Sequence, residues 1–301
     1  MFKRLLVPLD GSHLAEAVLP LVERLAVDFQ STVILLHVLE RGAPREIHGE
    51  RHLNAVPEAR EYLEGLSARL RHLGIPVEQH AHDAPEGDVA RSVAAHADEQ
   101  RADLIVLCTH GSGRMRDLLF GSIAQKVLHC GTTPVLLVRP GPDGGAPAFE
   151  PHTVLVPLDA TAAAEVALDP AQQVARALHA RLHLVMVVAT SETIRGNRLA
   201  AATLLPTATR AALDLEQRDA ATYLDDLAGK LRMTALTVTT EVRRGDTASA
   251  LADEAAEPGV GLVVLATHGR AGLQATWAGS VAAQLLSRTR APVLLLRTIE
   301  R

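Results

Sequence analysis

Aromatic residues are nearly missing from this 301-residue chain: four Phe, two Tyr and one Trp, 2% of the total. Its cores must therefore be built from Val, Leu, Ile and Ala, which suits strands buried on both faces of a sheet beneath alanine-rich helices. Cysteine is just as scarce. Cys108 and Cys130 cannot make a secreted disulfide framework, and with no Cys-x-x-Cys pattern two free thiols are expected. An excess of positive charge is also lacking. The 30 Lys and Arg stand against 35 Asp and Glu, a formal net charge of −5, mixed along the chain. Without a basic stripe to neutralise a phosphate backbone, nucleic acid is not an expected partner. No apolar run reaches the roughly 18 residues a membrane span needs, and the opening MFKRLLVPLD reads as a strand, not a signal peptide. The expectation is a soluble cytoplasmic protein with no membrane partner.

What the chain does have is 48% apolar residues and the length of two domains of about 150 residues. It also repeats itself. Leu5-Leu6-Val7-Pro8-Leu9-Asp10 recurs as Val154-Leu155-Val156-Pro157-Leu158-Asp159, an offset of 149 (159 minus 10). Thr109-His110-Gly111 recurs as Thr267-His268-Gly269, an offset of 158 (268 minus 110), and Gly121-Ser122 recurs at that offset as Gly279-Ser280. Gly87-Asp88 and Pro134-Val135-Leu136 also recur at 158. The simplest reading is a duplication with one net insertion between Val38 and Gly87.

Each copy alternates strand and helix. In the first, strands are expected over 4–9, 32–39, 77–82, 104–109 and 135–139. Helices are expected over 12–29, 58–73, 85–100 and 122–129. The second copy has strands near 153–158, 181–188, 235–243, 262–267 and 293–297. Leu104-Ile105-Val106-Leu107 and Leu262-Val263-Val264-Leu265 are apolar throughout, as central parallel strands are. Pro140-Gly141-Pro142-Asp143-Gly144-Gly145-Ala146-Pro147 reads as a linker. The boundaries are then a first domain over 1–140, a linker over 141–151 and a second domain over 152–301.

The segment after the fourth strand carries the chemistry. Cys108-Thr109-His110-Gly111 is followed by nine residues and Gly121-Ser122. Ala266-Thr267-His268-Gly269 is likewise followed by nine residues and Gly279-Ser280. Glycines let a loop backbone approach a polyanion, and a Gly-Ser pair opening a helix offers unpaired N–H groups and the positive end of a dipole to phosphate. No Gly-x-x-x-x-Gly-Lys-Ser/Thr exists, which argues against a P-loop engine. This pattern resembles the universal stress protein family, whose motif is Gly-x-x-Gly, nine residues, then Gly-Ser or Gly-Thr. The first glycine is replaced here, by Cys108 in one copy and Ala266 in the other.

The resemblance covers nearly the whole chain, twice. It implies two Rossmann-like, flavodoxin-like doubly wound α/β domains in pseudo-twofold tandem, each a five-stranded parallel sheet of order 3-2-1-4-5. It also implies that the final strands, Val135–Arg139 and Val293–Arg297, pair antiparallel, and leaves a homodimer open. In such a sheet a ligand sits where the connection direction reverses, between strands one and four. Asp10 should thus face the Cys108–Gly111 loop. By resemblance, ATP with Mg²⁺ is the ligand, or a related adenine nucleotide. Asp10 and Asp159, beside Pro8, Leu9, Pro157 and Leu158, meet the nucleoside, and the backbone near Val38 and Val187 meets adenine. Cys108, His110, Gly111, Gly121, Ser122 and Ile123 form the first phosphate loop. Ala266, His268, Gly269, Gly279, Ser280 and Val281 form the second. Asp10 and Asp159 read equally as N-caps of the next helix.

Arg114, Arg116 and Arg270 could meet phosphate oxygens or be solvated loop charges. Ten of the 14 histidines lie in the first copy. His48 with His52, or His80 with His82, could ligate zinc, but spacing alone places no third ligand. No carboxylate is set by spacing against His110 or His268, so no catalytic residue emerges. The expectation is a nucleotide-dependent stress regulator that is not an enzyme, at most a very slow ATP hydrolase. The alternative is a nucleotide-free interaction module of the same fold. A protein partner is not specified by the sequence.

Overall fold

A computed structural model describes residues 1–39, 46–47, 50–51, 53–83, 88–109, 122–141, 143–147, 149–194, 197–268 and 281–298. The chain folds as two compact units. One is Met1–Phe149 together with Pro292–Arg297; the other is Glu150–Ala291 with the chain from Thr298.

The first unit begins β1 (Arg4–Pro8), α1 (His13–Glu16), α2 (Leu19–Phe29) and β2 (Thr32–Leu39). After a short hairpin of β3 (Glu46–Ile47) and β4 (Glu50–Arg51) come α3 (Val56–His72), β5 (Val77–Asp83), α4 (Val89–Glu99), β6 (Leu104–Cys108), α5 (Ser122–Cys130) and β7 (Val135–Val138). The strands lie in the order β5-β2-β1-β6-β7, each neighbouring pair parallel. Counting past the hairpin, this is the order 3-2-1-4-5. Every residue of β6 and β7 is buried, as strands covered by helices on both faces must be.

The helix expected over 12–29 is two helices. Pro20 has no N–H to give Glu16, and its ring would strike that carbonyl, so the chain restarts at Leu19 with Pro20 in the first turn. Helix α4 opens at Asp88, not Pro85. The Asp88 carboxylate accepts from Arg91 N and caps the helix, while 84–87 lie outside the described residues.

The second unit repeats the scheme with β8 (Thr153–Leu158), α6 (Ala162–Glu165), α7 (Leu168–Ala177), β9 (Arg181–Val188), α8 (Asn197–Leu204), α9 (Pro206–Arg232), β10 (Val238–Arg244), α10 (Thr247–Ala255), β11 (Val260–His268) and α11 (Val281–Arg288). The parallel order is β10-β9-β8-β11. Left-handed residues recur at matching places: Gly11 and Ala160, Gln30 and His179, Arg101 and Gly259. At Gly261 the β11 backbone runs so close to Pro151 that a Cβ would stand 2.4 Å from its Cα.

The single insertion inferred from sequence is two events. β5 ends at Asp83 and β10 at Arg244, an offset of 161 (244 minus 83), yet Gly87 and Gly245 keep 158. The second copy therefore gains residues before β10, where α9 has 27 residues against 17 in α3. It then loses three in the turn after the strand, where Gly245 follows β10 directly. No helix among the described residues is long and apolar enough to cross a membrane.

The last strand, β12 (Val293–Thr298), comes from the second copy but lies mainly in the first unit. It pairs antiparallel with β7, Val293 opposite Leu137, Leu294 opposite Leu136 and Leu295 opposite Val135. This is the pairing the resemblance implies. Arg297 then donates through Nη1 to His129 O (3.1 Å) and Gly131 O (2.9 Å), placing a cation at the negative end of α5.

Candidate functional site

In both units the first strand ends in the same small device. β1 hands over at Leu9, whose N–H donates to Leu36 O at 2.8 Å. Asp10 follows, and its Oδ1 accepts from Ser12 N (3.0 Å) and Ser12 Oγ (2.6 Å). Ser12 Oγ in turn accepts from Ala15 N at 3.2 Å, capping α1. In the second unit Asp159 Oδ1 accepts from Thr161 N (3.0 Å) and Oγ1 (2.6 Å), and Thr161 caps α6 through Ala164 N (3.2 Å). The N-cap is thus Ser12 or Thr161. The acid two residues earlier orients the capping hydroxyl. Gly11 and Ala160 both take positive φ, +89° and +61°, which turns the chain sharply there.

The topology sets β1 beside β6. Burial raises the Cys108 thiol to about 12, with the negative charge of Asp10 as the second cause. Asp10 therefore does lie near the strand end from which the glycine-bearing loop departs. The thiol takes the position of the family's first glycine, and it is buried. A buried thiol held in its neutral form is a poor nucleophile. Exposed Cys130 should thus react with a thiol reagent at pH 8 while Cys108 reacts only after unfolding. Two fast-reacting thiols in the folded chain would contradict this placement.

The two units differ in how open this turn is. In the first, Ser12 is buried, Asp10 and Gly11 are half-buried, and Leu53 lies over Gly11, its Cδ1 2.8 Å from where a Cβ would stand. His37, buried in β2, holds the arrangement: Nδ1 donates to Leu9 O at 2.8 Å, and Nε2 is 3.4 Å from Leu53 O. Nothing in the apolar run of β2 marks His37 beforehand, and the second copy has Met186 there. In the second unit Asp159, Ala160 and Thr161 are all exposed. Tyr223 of α9 approaches from the side and donates to Glu165 Oε1 at 2.7 Å. Burial first, then Glu165 and Asp159, hold its hydroxyl above the usual tyrosine range.

The other sequence-named positions sort plainly. Pro8 and Leu9 close β1, while Pro157 and Leu158 close β8. Val38 is buried near the end of β2 beside His82, and Val187 half-buried near the end of β9 beside Arg243. Ser122 and Ile123 open α5 and Val281 opens α11, with Ile123 and Val281 exposed. Ala266 and His268 lie at the end of β11. His110, Gly111, Gly121, Gly269, Gly279 and Ser280 lie outside the described residues, as do Arg114, Arg116, Arg270, His48 and His52. A separate cleft of about 470 Å³, lined by His13, Glu16, Arg69 and residues 143–146, holds none of the named positions.

The model of the universal stress protein family matches residues 1–139 and again 151–297. A universal stress protein of Synechocystis is 31% identical over 138 residues, 46% of this chain and 86% of its own length. Another, from Bacillus subtilis, is 26% identical over 151 residues, 46% of this chain and all of its own. Among solved structures, a universal stress protein from Archaeoglobus fulgidus superposes with a TM-score of 0.68 at 16% identity, covering 98% of this chain and 96% of the other.

Proposed function

The chain belongs to the universal stress protein family, and on that premise we propose that it is a cytoplasmic ATP-binding regulator of stress adaptation. The observation that carries this reading is the matched pair of acid-hydroxyl turns, Asp10–Ser12 and Asp159–Thr161, at the ends of the central strands. In the first unit that turn lies beside the strand from which the Gly-Ser loop leaves. In the second, β8 pairs with β11 in the same way. That is the switch point where a doubly wound sheet takes a ligand. Asp10 or Asp159 would receive the ribose, the loop backbone and the following helix N-terminus the phosphates. Mg²⁺, which sheds its waters reluctantly, would ride mainly on the phosphate oxygens.

The second copy is the stronger site in this reading. Its turn is exposed, and its replacement for the first glycine is alanine. In the first copy Leu53 covers Gly11 and a buried thiol stands beside Asp10. Those features favour a second reading for that copy alone, a nucleotide-free interaction surface.

Heat-denaturing the purified protein and chromatographing the released small molecules tests the proposal. Adenine nucleotide in the supernatant is expected. Its absence, together with no Mg-ATP binding by calorimetry, would leave the interaction-module reading. Turnover should stay far below the roughly 10 s⁻¹ of a median enzyme, because the nucleotide is held as a signal and not consumed as a fuel.

A further inference from the structure

Three side chains with metal-ligand chemistry meet in the second unit, on elements that carry none of the phosphate-loop residues. His183 stands in β9, Glu241 in β10 and Glu254 in α10. The parallel register sets Thr239 beside His183 and Glu241 beside Val185, so Thr239, Glu241 and Arg243 project to the face that carries His183. Glu254 reaches the same face from α10. His183 Nε2 is 3.0 Å from Glu254 Oε1 and 4.0 Å from Glu241 Oε2, and one donor atom from each of the three lies within 4.8 Å of the others. Four-coordinate zinc with bonds of about 2.0–2.2 Å keeps neighbouring donors about 3.3–3.6 Å apart. The cluster brackets that spacing.

The atoms that face away from this point are held in place. Thr239 Oγ1 is 2.8 Å from His183 Nδ1, so the ring can present Nε2 to a ligand. Arg243 takes the other carboxylate oxygens, with Nε 2.7 Å from Glu254 Oε2 and 2.9 Å from Glu241 Oε1. Such outer partners fix the orientation of ligands in metal sites. The side chains of His183 and Glu254 are 12% and 5% exposed, whereas Glu241 is 39% exposed, which leaves an entry path and room for a water ligand. Two carboxylates and one guanidinium leave a single negative charge, which a divalent cation can offset.

We propose that His183, Glu241 and Glu254 bind a divalent transition cation, with zinc the best match to one imidazole and two carboxylates, and that Thr239 and Arg243 position the ligands. The equivalent place in the first unit is built differently. Ile34 replaces His183, and His80, His82 and His96 replace Glu241, Arg243 and Glu254. The His82 and His96 ring centres are 4.7 Å apart, and those of His80 and His96 6.1 Å. Those imidazoles are the natural competitors in any zinc titration.

The test is calorimetry of the metal-free full chain with Zn²⁺, without nucleotide, in buffers of differing ionisation enthalpy. We expect a tight equivalent that releases a proton on binding, survives His80→Gln/His82→Gln/His96→Gln, and disappears in Glu241→Gln and Glu254→Gln. Thr239→Val should weaken it about 10- to 100-fold. If Glu254→Gln does not fold, Glu241→Gln, at a partly exposed position, decides alone. A tight equivalent lost with the three histidines, or unchanged in Glu241→Gln, would show that the cluster is an ion-pair network only.

Discussion

If the proposed sites hold ATP, Gly279→Asp should remove binding from the second copy and Gly121→Asp from the first, with the larger loss of total binding expected from Gly279→Asp. Gly121 directly precedes Ser122, which opens α5, and Gly279 stands two positions before Val281, which opens α11. The N–H groups of a first helical turn have no partner within the helix and carry the positive end of its dipole. A carboxylate placed there competes for those donors and repels the phosphates. At about 5 Å and an effective dielectric near 20, one such charge pair costs about 3 kcal/mol, a loss of more than a hundredfold in affinity. Calorimetry with Mg-ATP reads it, and circular dichroism verifies the fold. If the double variant binds as wild type does, the phosphates are not at these loops. The asymmetry has its own physical basis: Asp159–Thr161 is open to solvent, whereas Asp10–Ser12 is half covered by Leu53. Equal effects of the two single variants would count against the second copy as the stronger site.

The strands could be read from sequence because their signal is local and strong, whereas their order came only with the family resemblance. Leu104–Leu107 and Leu262–Leu265 are apolar without interruption, which happens where a parallel strand has helices on both faces, and the repeat doubled every such signal. Element boundaries were less visible because single residues set them. Pro20 splits a helix whose apolar spacing runs unbroken through it, and Asp88 caps a helix expected to begin at 85. The compensating gain and loss around β10 hid because glycine and aspartate at 87–88 and 245–246 restore the apparent register. The acid-hydroxyl turns were half legible. The aspartates stood out, but which residue caps depends on backbone dihedrals, and the structure gives that part to Ser12 and Thr161. His37 and the His183–Glu241–Glu254 group were not legible at all. The first is one polar residue in an apolar strand. The second joins residues from three elements with no motif spacing, and only strand register brings them together.

Cutting the chain within 141–147 should leave two fragments that travel together through gel filtration at micromolar concentration. The strand that ends the second fragment is the outer partner of β7, and Val293, Leu294, Leu295 and Leu296 are each 5% exposed or less. Burying four aliphatic side chains contributes roughly 6–12 kcal/mol at about 1.5–3 kcal/mol each, against an association cost of about 4–15 kcal/mol. Apolar burial alone therefore does not decide the outcome. The strand ladder does, since withdrawing β12 would leave a bare edge on β7, itself apolar and wholly buried, and such an edge seeks another strand. Leu294→Asp sharpens the test by putting a carboxylate at a position 2% exposed, where an unpaired charge costs several kcal/mol. In the cut chain this substitution should release the fragments, or leave the first one aggregating through β7. Fragments of the unsubstituted chain that separate as soluble monomers would mean that the β7–β12 pair holds nothing together and that each copy completes its own sheet.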